Sequence, residues 1–182
     1  MSETAAIRGA VSNTGPIISA FQSERVDVLR QLYDVIFIPD TELAEFEKHG
    51  AEGEIRELID DGFVIVHRLS DTEKQTAREM AEAIASSSLS KDKEAAHHYP
   101  EAEAMVLMSR LEADAQEILL DELAARSIAQ EHGIAVIGFA GVLIRASRQD
   151  LLSAEAVRDA LMTCQQQGTH YSDQFIGEIY RR

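Results

Sequence analysis

Short apolar runs alternate with helical segments along this chain, and that alternation restricts the fold more than any other feature. Each run is too short for a helix, and each is followed by a stretch with the apolar spacing of a helix. Strands that alternate with helices form a parallel sheet covered on both faces. The predicted strands are residues 10–13 (AVSN), 34–38 (DVIFI), 63–66 (FVIV), 118–120 (ILL) and 134–137 (IAVI).

The same pattern indicates how the chain is divided. A length of 182 residues is most simply one domain. We place its core at about residues 9–150 and a C-terminal helical extension at 151–182, with helices near 154–167 and 172–181. Residues 86–99 (SSSLSKDKEAAHHY) are polar and aperiodic, which indicates a mobile loop.

Composition and charge restrict the class of protein. Without an apolar run of about 18 residues or an apolar N-terminal segment, neither a membrane span nor a signal peptide is indicated. A single cysteine, Cys164, excludes an internal disulfide framework, and a cytoplasmic protein is expected. The 32 acidic against 17 basic residues give a net charge of −15, which opposes non-specific attraction to nucleic acid.

The stretch from Pro100 to Glu122 directs acidic residues to one place. Pro100 suits the first turn of a helix, and Glu101 and Glu103 are favoured there by the helix dipole. The strand at 118–120 then delivers Asp121 and Glu122 to the carboxyl edge of the sheet, where open α/β sheets bind their ligands. We therefore expect several carboxylates to converge at this edge.

Candidate ligands also come from the first half of the chain. Asn13 follows the first predicted strand, and Glu45 lies one turn into the helix after the second. Together with Glu103 and Asp121 these residues would repel one another unless a divalent cation lay between them, and Mg²⁺ or Mn²⁺ suits oxygen ligands. Such a metal activates water and neutralises phosphoryl charge, as in metal-dependent nucleases. An ordinary solvated acidic surface is the alternative that spacing alone leaves open.

Three segments of the sequence resemble the PIN-like nuclease family. Residues 11–51, from VSNTGPII to FIPDTELAEFEKHGA, resemble a subgroup opening of the type DTSPLIAL, a strand ending in IPE and a helix bearing EF or EL. Residues 100–146 resemble that subgroup's GEAEAIALA, LLLDE and GTLGVLLRA segments in the same order, and residues 170–180 (HYSDQFIGEIY) resemble its last helix. The likeness covers nearly the whole chain, and it depends on the ordered set rather than on any one motif.

This resemblance implies a fold, an activity and partners. The implied fold is a three-layer α/β/α sandwich with a five-stranded parallel sheet. The implied activity is that of a Mg²⁺- or Mn²⁺-dependent ribonuclease, often the toxin of a toxin–antitoxin pair and often a homodimer, with RNA as substrate and an antitoxin protein as partner. The implied metal ligands are Asn13, Glu45, Glu103 and Asp121, the last three also being catalytic; the implied supporting residues are Thr14, Glu101 and Glu122. Arg126, one turn past Asp121, is a further supporting candidate that could pair with a site carboxylate or with a phosphate.

Two positions depart from the family's pattern. Asn13 stands where the first acid is expected, and an amide offers a carbonyl oxygen but no charge. Pro100 replaces the glycine that usually precedes the third motif. The alternative hypothesis is therefore a catalytically weakened PIN-like module that binds nucleic acid or protein without cutting.

Overall fold

Five parallel strands form the centre of the molecule. The structure, a computed structural model, describes residues 7–169 and 171–180. The strand order is β3-β2-β1-β4-β5, and all neighbouring pairs are parallel, as the alternating pattern predicts. The strands are β1 (Gly9–Ser12), β2 (Val35–Pro39), β3 (Val64–His67), β4 (Glu117–Leu119) and β5 (Val136–Ile137).

The central strand β1 fixes where a site can form. It pairs with β2 on one side, Val11 opposite Phe37, and with β4 on the other, Val11 opposite Ile118. The chain runs outward from β1 through β2 and β3, and then returns to the opposite side of β1 as β4. The reversal leaves a crevice at the carboxyl ends of β1 and β4, which is the usual ligand site of such sheets.

Helices cover both faces of the sheet, and this confirms the predicted three-layer α/β/α sandwich. Successive strand residues point to opposite faces, so Ala10 belongs to one buried core and its neighbour Val11 to the other. Helices α5, α6 and α7 pack on the face of Val11, and the remaining helices pack on the face of Ala10. The helices are α1 (Thr14–Gln22), α2 (Val26–Leu32), α3 (Glu42–Lys48), α4 (Glu52–Asp60), α5 (Asp71–Ser86), α6 (Tyr99–Arg110), α7 (Leu123–Glu131), α8 (Phe139–Arg148), α9 (Ala154–Gln166) and α10 (Asp173–Tyr180).

The polar segment 86–99 is more structured than its sequence indicates. Helix α5 continues to Ser86, and a 3₁₀ helix spans Ala95–His98 directly before α6. Ser90 and His98 are buried, with Ser90 Oγ 3.1 Å from His98 Nε2. Hydrogen bonds between polar side chains and backbone therefore organise this segment, and such bonds leave no periodic apolar pattern in the sequence.

No helix in the described part of the chain is long and apolar enough to cross a membrane.

Candidate active site

Asn13 lies at the carboxyl end of β1, in the crevice beside β4. Its side chain is almost fully buried, at 7% exposure. The amide nitrogen Nδ2 donates to Glu101 Oε1 at 3.2 Å. The carbonyl oxygen Oδ1 is buried and has no hydrogen-bond partner in residues 7–169 and 171–180. A buried acceptor without a donor is costly, so this oxygen is available for a ligand.

Glu42, the first residue of α3, brings a second oxygen pair to the same place. It is 1% exposed, and its Oε2 accepts hydrogen bonds from the Thr14 backbone amide at 2.9 Å and from the Thr14 hydroxyl. Its other oxygen, Oε1, is buried without a partner among the described residues. Burial raises the pKa of Glu42 to about 7, against the lowering effect of Thr14, and the charges of Glu101 and Glu103 raise it further.

Helix α6 contributes two carboxylates from its first turns. Glu101 meets Asn13, and Glu103, 1% exposed, accepts a hydrogen bond from the Thr41 hydroxyl. Burial raises the pKa of both acids. Within the described chain, Glu101 Oε2 and Glu103 Oε1 are also buried without hydrogen-bond partners.

Asp121 faces this group from the end of β4. Its Oδ1 accepts a hydrogen bond from the backbone amide of Phe139 at 2.7 Å, which ties it to the start of α8. Its Oδ2 lies 3.8 Å from the point where a Cβ on Gly15 would stand, and Asn13 Oδ1 lies at the same distance from that point. Burial raises the pKa of Asp121, while the Phe139 amide and the nearby Arg126 lower it.

Two predicted site residues have other partners in the structure. Glu45, 35% exposed at its side chain, forms an ion pair with Lys48 on the outer face of α3. Glu122 caps α7, because its carboxylate accepts hydrogen bonds from the amides of Ala124 at 3.0 Å and Ala125 at 2.6 Å. Asn13, Thr14 and Glu101 do come together, with Glu103 and Asp121 on either side of them.

Glu42 is the site residue that sequence reasoning missed. Phe46 is fully buried, and Glu42 precedes it by four residues, so both lie on the inner face of α3. Glu45, one residue before Phe46, is turned about 100° away. The four-residue spacing from the apolar Phe46 was therefore a usable indication of which acid points inward.

The donor set suits a hard divalent cation in its chemistry. Its unpartnered buried atoms are amide and carboxylate oxygens, the ligands that Mg²⁺ and Mn²⁺ prefer. In the described ranges, however, no three side chains of the types His, Cys, Asp and Glu are placed so that they could hold a metal ion. A cation at this edge would therefore need the Asn13 amide as a ligand and would have to draw the carboxylates closer together than they stand here.

Comparison with known protein families gives one match. The family model of the PIN domain matches residues 9–182, which is most of the chain and includes α9 and α10. No curated protein and no solved structure matches the chain.

The raised pKa of Glu42 predicts how stability depends on pH. Between about pH 4.5 and 7 the folded protein keeps a proton on Glu42 that the unfolded chain releases, so the free energy of unfolding should fall as pH rises. The Glu42 contribution is on the order of 3 kcal/mol. Glu42→Gln should therefore flatten the pH dependence of stability, as measured by urea unfolding at several pH values. Glu45→Gln is the matched control and should leave the slope unchanged; an unaltered slope in Glu42→Gln would contradict the assignment.

Proposed function

This chain belongs to the PIN domain family, and on that premise we propose that it is a Mg²⁺- or Mn²⁺-dependent ribonuclease. Membership of the family supports a nuclease-like activity. The observation that carries the metal dependence is the group of buried oxygens without partners, contributed by Asn13, Glu42, Glu101 and Glu103 at the carboxyl edge of the sheet. Carboxylates this close together are stable as anions only when a cation offsets their repulsion.

We assign the cation to Asn13 Oδ1 and to the carboxylates of Glu42, Glu101 and Asp121. In this assignment Glu42 takes the place that the sequence prediction gave to Glu45, and Glu101, which hydrogen-bonds Asn13, takes the place that it gave to Glu103. Glu103 stays beside the group, held by the Thr41 hydroxyl, and adds negative charge to it. The ligands would come from β1, α3, α6 and β4, so the whole carboxyl edge of the sheet would position them.

The residues of the chain also prepare these ligands for binding. Asn13 Nδ2 binds one oxygen of the Glu101 carboxylate, and the amide and hydroxyl of Thr14 both bind one oxygen of the Glu42 carboxylate. Each carboxylate is thereby oriented, so that its other oxygen is positioned for the cation. Because burial raises the pKa of Glu42, Glu101 and Asp121, metal binding must displace protons, and affinity should rise with pH. A bound cation would activate a water molecule and neutralise charge on the phosphodiester.

The finer parts of the proposal depend on the sequence resemblance. They are RNA as the substrate, a toxin role, and a small antitoxin protein as partner. An antitoxin-like reading frame next to this gene would support the toxin role, and its absence would argue against it.

The metal site predicts matched effects on stability and cleavage. Millimolar Mn²⁺ should raise the thermal midpoint of the wild type, because a ligand bound only by the folded state stabilises it. Glu42→Gln and Asp121→Asn should reduce this shift and lower cleavage of an RNA pool by about a hundredfold or more, whereas Glu45→Gln should change neither. Differential scanning fluorimetry and gel assays give both readouts. Loss of the shift in Glu45→Gln, with Glu42→Gln unaffected, would reverse the assignment.

Asn13 allows a separate test, because it departs from the acidic pattern of the family. Asn13→Asp adds a charge beside the metal and should raise Mn²⁺ affinity and RNA cleavage. It also removes the donor to Glu101 and places two carboxylates together, so the metal-free protein should lose about 1–3 kcal/mol of stability. Titration calorimetry and unfolding in EDTA measure these effects. If the wild type and Asn13→Asp are both inactive while the wild type binds RNA, the alternative of a non-cutting binding module gains support.

We also propose a homodimer. The outer helices carry apolar side chains that are exposed rather than packed against the core, among them Met162 on α9 and Phe175 on α10. The sequence resemblance implies a dimer, and association between subunits would cover these side chains. Light scattering over a tenfold concentration range should give the mass of a dimer, and a monomer mass at every concentration would exclude it.

A further inference from the structure

Arg126 differs in its surroundings from five other arginines of the chain. Arg8, Arg30, Arg56, Arg110 and Arg145 each form an ion pair with an acid. The partly buried Arg126 side chain, on α7, makes no hydrogen bond or ion pair with any described residue, although its charge acts on Asp121. Its guanidinium therefore retains its donors for a ligand.

Gly138 shows how closely Arg126 and Asp121 approach each other. A Cβ on Gly138 would lie 2.9 Å from Asp121 Oδ1 and 3.3 Å from Arg126 Nη1. A Cβ at this position would clash with Asp121 Oδ1 and crowd the Arg126 guanidinium, so glycine allows both groups to approach the backbone here. Asp121 is also one of the residues that we assign to the cation.

Tyr171, in the segment between α9 and α10, lies near enough to Asp121 and Arg126 for the charges of both to act on its hydroxyl. Its backbone carbonyl accepts a hydrogen bond from Gln165 Nε2 at 2.7 Å, and its ring stacks on Phe175 at 5.8 Å between centroids. Its hydroxyl oxygen is buried and faces the backbone amide of Ala140, and no acceptor for its proton is found in the described part of the molecule. Burial raises the pKa of Tyr171, and the charge of Asp121 raises it further, so the phenol remains a donor.

We propose that Arg126 and Tyr171 form a phosphate-binding subsite on the Asp121 side of the crevice, which receives a phosphodiester of the RNA backbone. A guanidinium and a phenol hydroxyl present N–H and O–H donors, and an anionic oxygen is their natural complement. The subsite rests on the proposed function for the identity of its ligand. It gives α9 and α10 a role in the site, since the segment between them carries Tyr171.

The position of Asp121 makes the binding of the cation and the binding of the phosphate depend on each other. Without a cation its carboxylate repels a phosphate in the subsite, and with a cation this repulsion is offset. RNA should therefore bind more tightly in the presence of Mn²⁺ than in EDTA. By linkage, bound RNA should raise the affinity of the protein for Mn²⁺ by the same factor.

Fluorescence anisotropy of a labelled RNA hexamer tests the subsite, with Mn²⁺ or with EDTA and with the RNA checked by gel afterwards. Arg126→Gln should weaken binding about tenfold or more in Mn²⁺, and Tyr171→Phe about threefold or more, because each removes donors to an anion. Arg126→Lys keeps the charge without the planar donor set and should give an intermediate value. The matched controls, Arg148→Gln and Tyr33→Phe, should bind as the wild type does.

The outcomes separate the subsite from the nuclease activity. If the wild type binds RNA in this pattern but does not cut it, the proposed function fails and the subsite stands. If the wild type cuts RNA while Arg126→Gln and Tyr171→Phe bind like the wild type, the subsite is wrong and the function stands. Failure of the wild type to bind the hexamer, or equal weakening by the controls, would also overturn the subsite.

Discussion

The candidate site depends on the way in which Asn13 and Thr14 hold buried carboxylates. Taking a carboxylate out of water is unfavourable unless it is protonated or hydrogen-bonded. Asn13 donates to one oxygen of Glu101, and Thr14 donates twice to one oxygen of Glu42, so the second oxygen of each acid has no partner among the residues that the structure describes. These two adjacent residues at the end of β1 thus orient acids that come from α3 and α6.

The proposed site would also allow a strongly acidic chain to take an anionic substrate. A net charge of −15 repels RNA at long range, so attraction must be local. In our account the cation offsets the charge of the carboxylates, and Arg126 lies beside Asp121 without an ion-pair partner among the described residues. The asparagine at position 13 would then lower repulsion in the metal-free site, at the cost of weaker attraction for the proposed metal.

The strand pattern was enough to predict the sheet, because buried parallel strands are short apolar runs and the chain spaces them with helices. It also placed Asn13 and Asp121 correctly at strand ends. It could not separate Glu42 from Glu45, since that choice depends on the inward direction set by Phe46 in α3. Neither could it find Tyr171, which reaches Asp121 only through the packing of the chain after α9, or the 3₁₀ helix at 95–98, which depends on local hydrogen bonds.

The central claim is that a divalent cation binds among Asn13, Glu42, Glu101 and Asp121. Crystals soaked in Mn²⁺, with data collected on both sides of the manganese absorption edge, test it without any assay of activity. We expect one anomalous peak at the carboxyl ends of β1 and β4, within about 2.0–2.6 Å of Asn13 Oδ1 and of the carboxylates. A crevice without such a peak at saturating Mn²⁺, or a peak beside Glu45 instead, would contradict it.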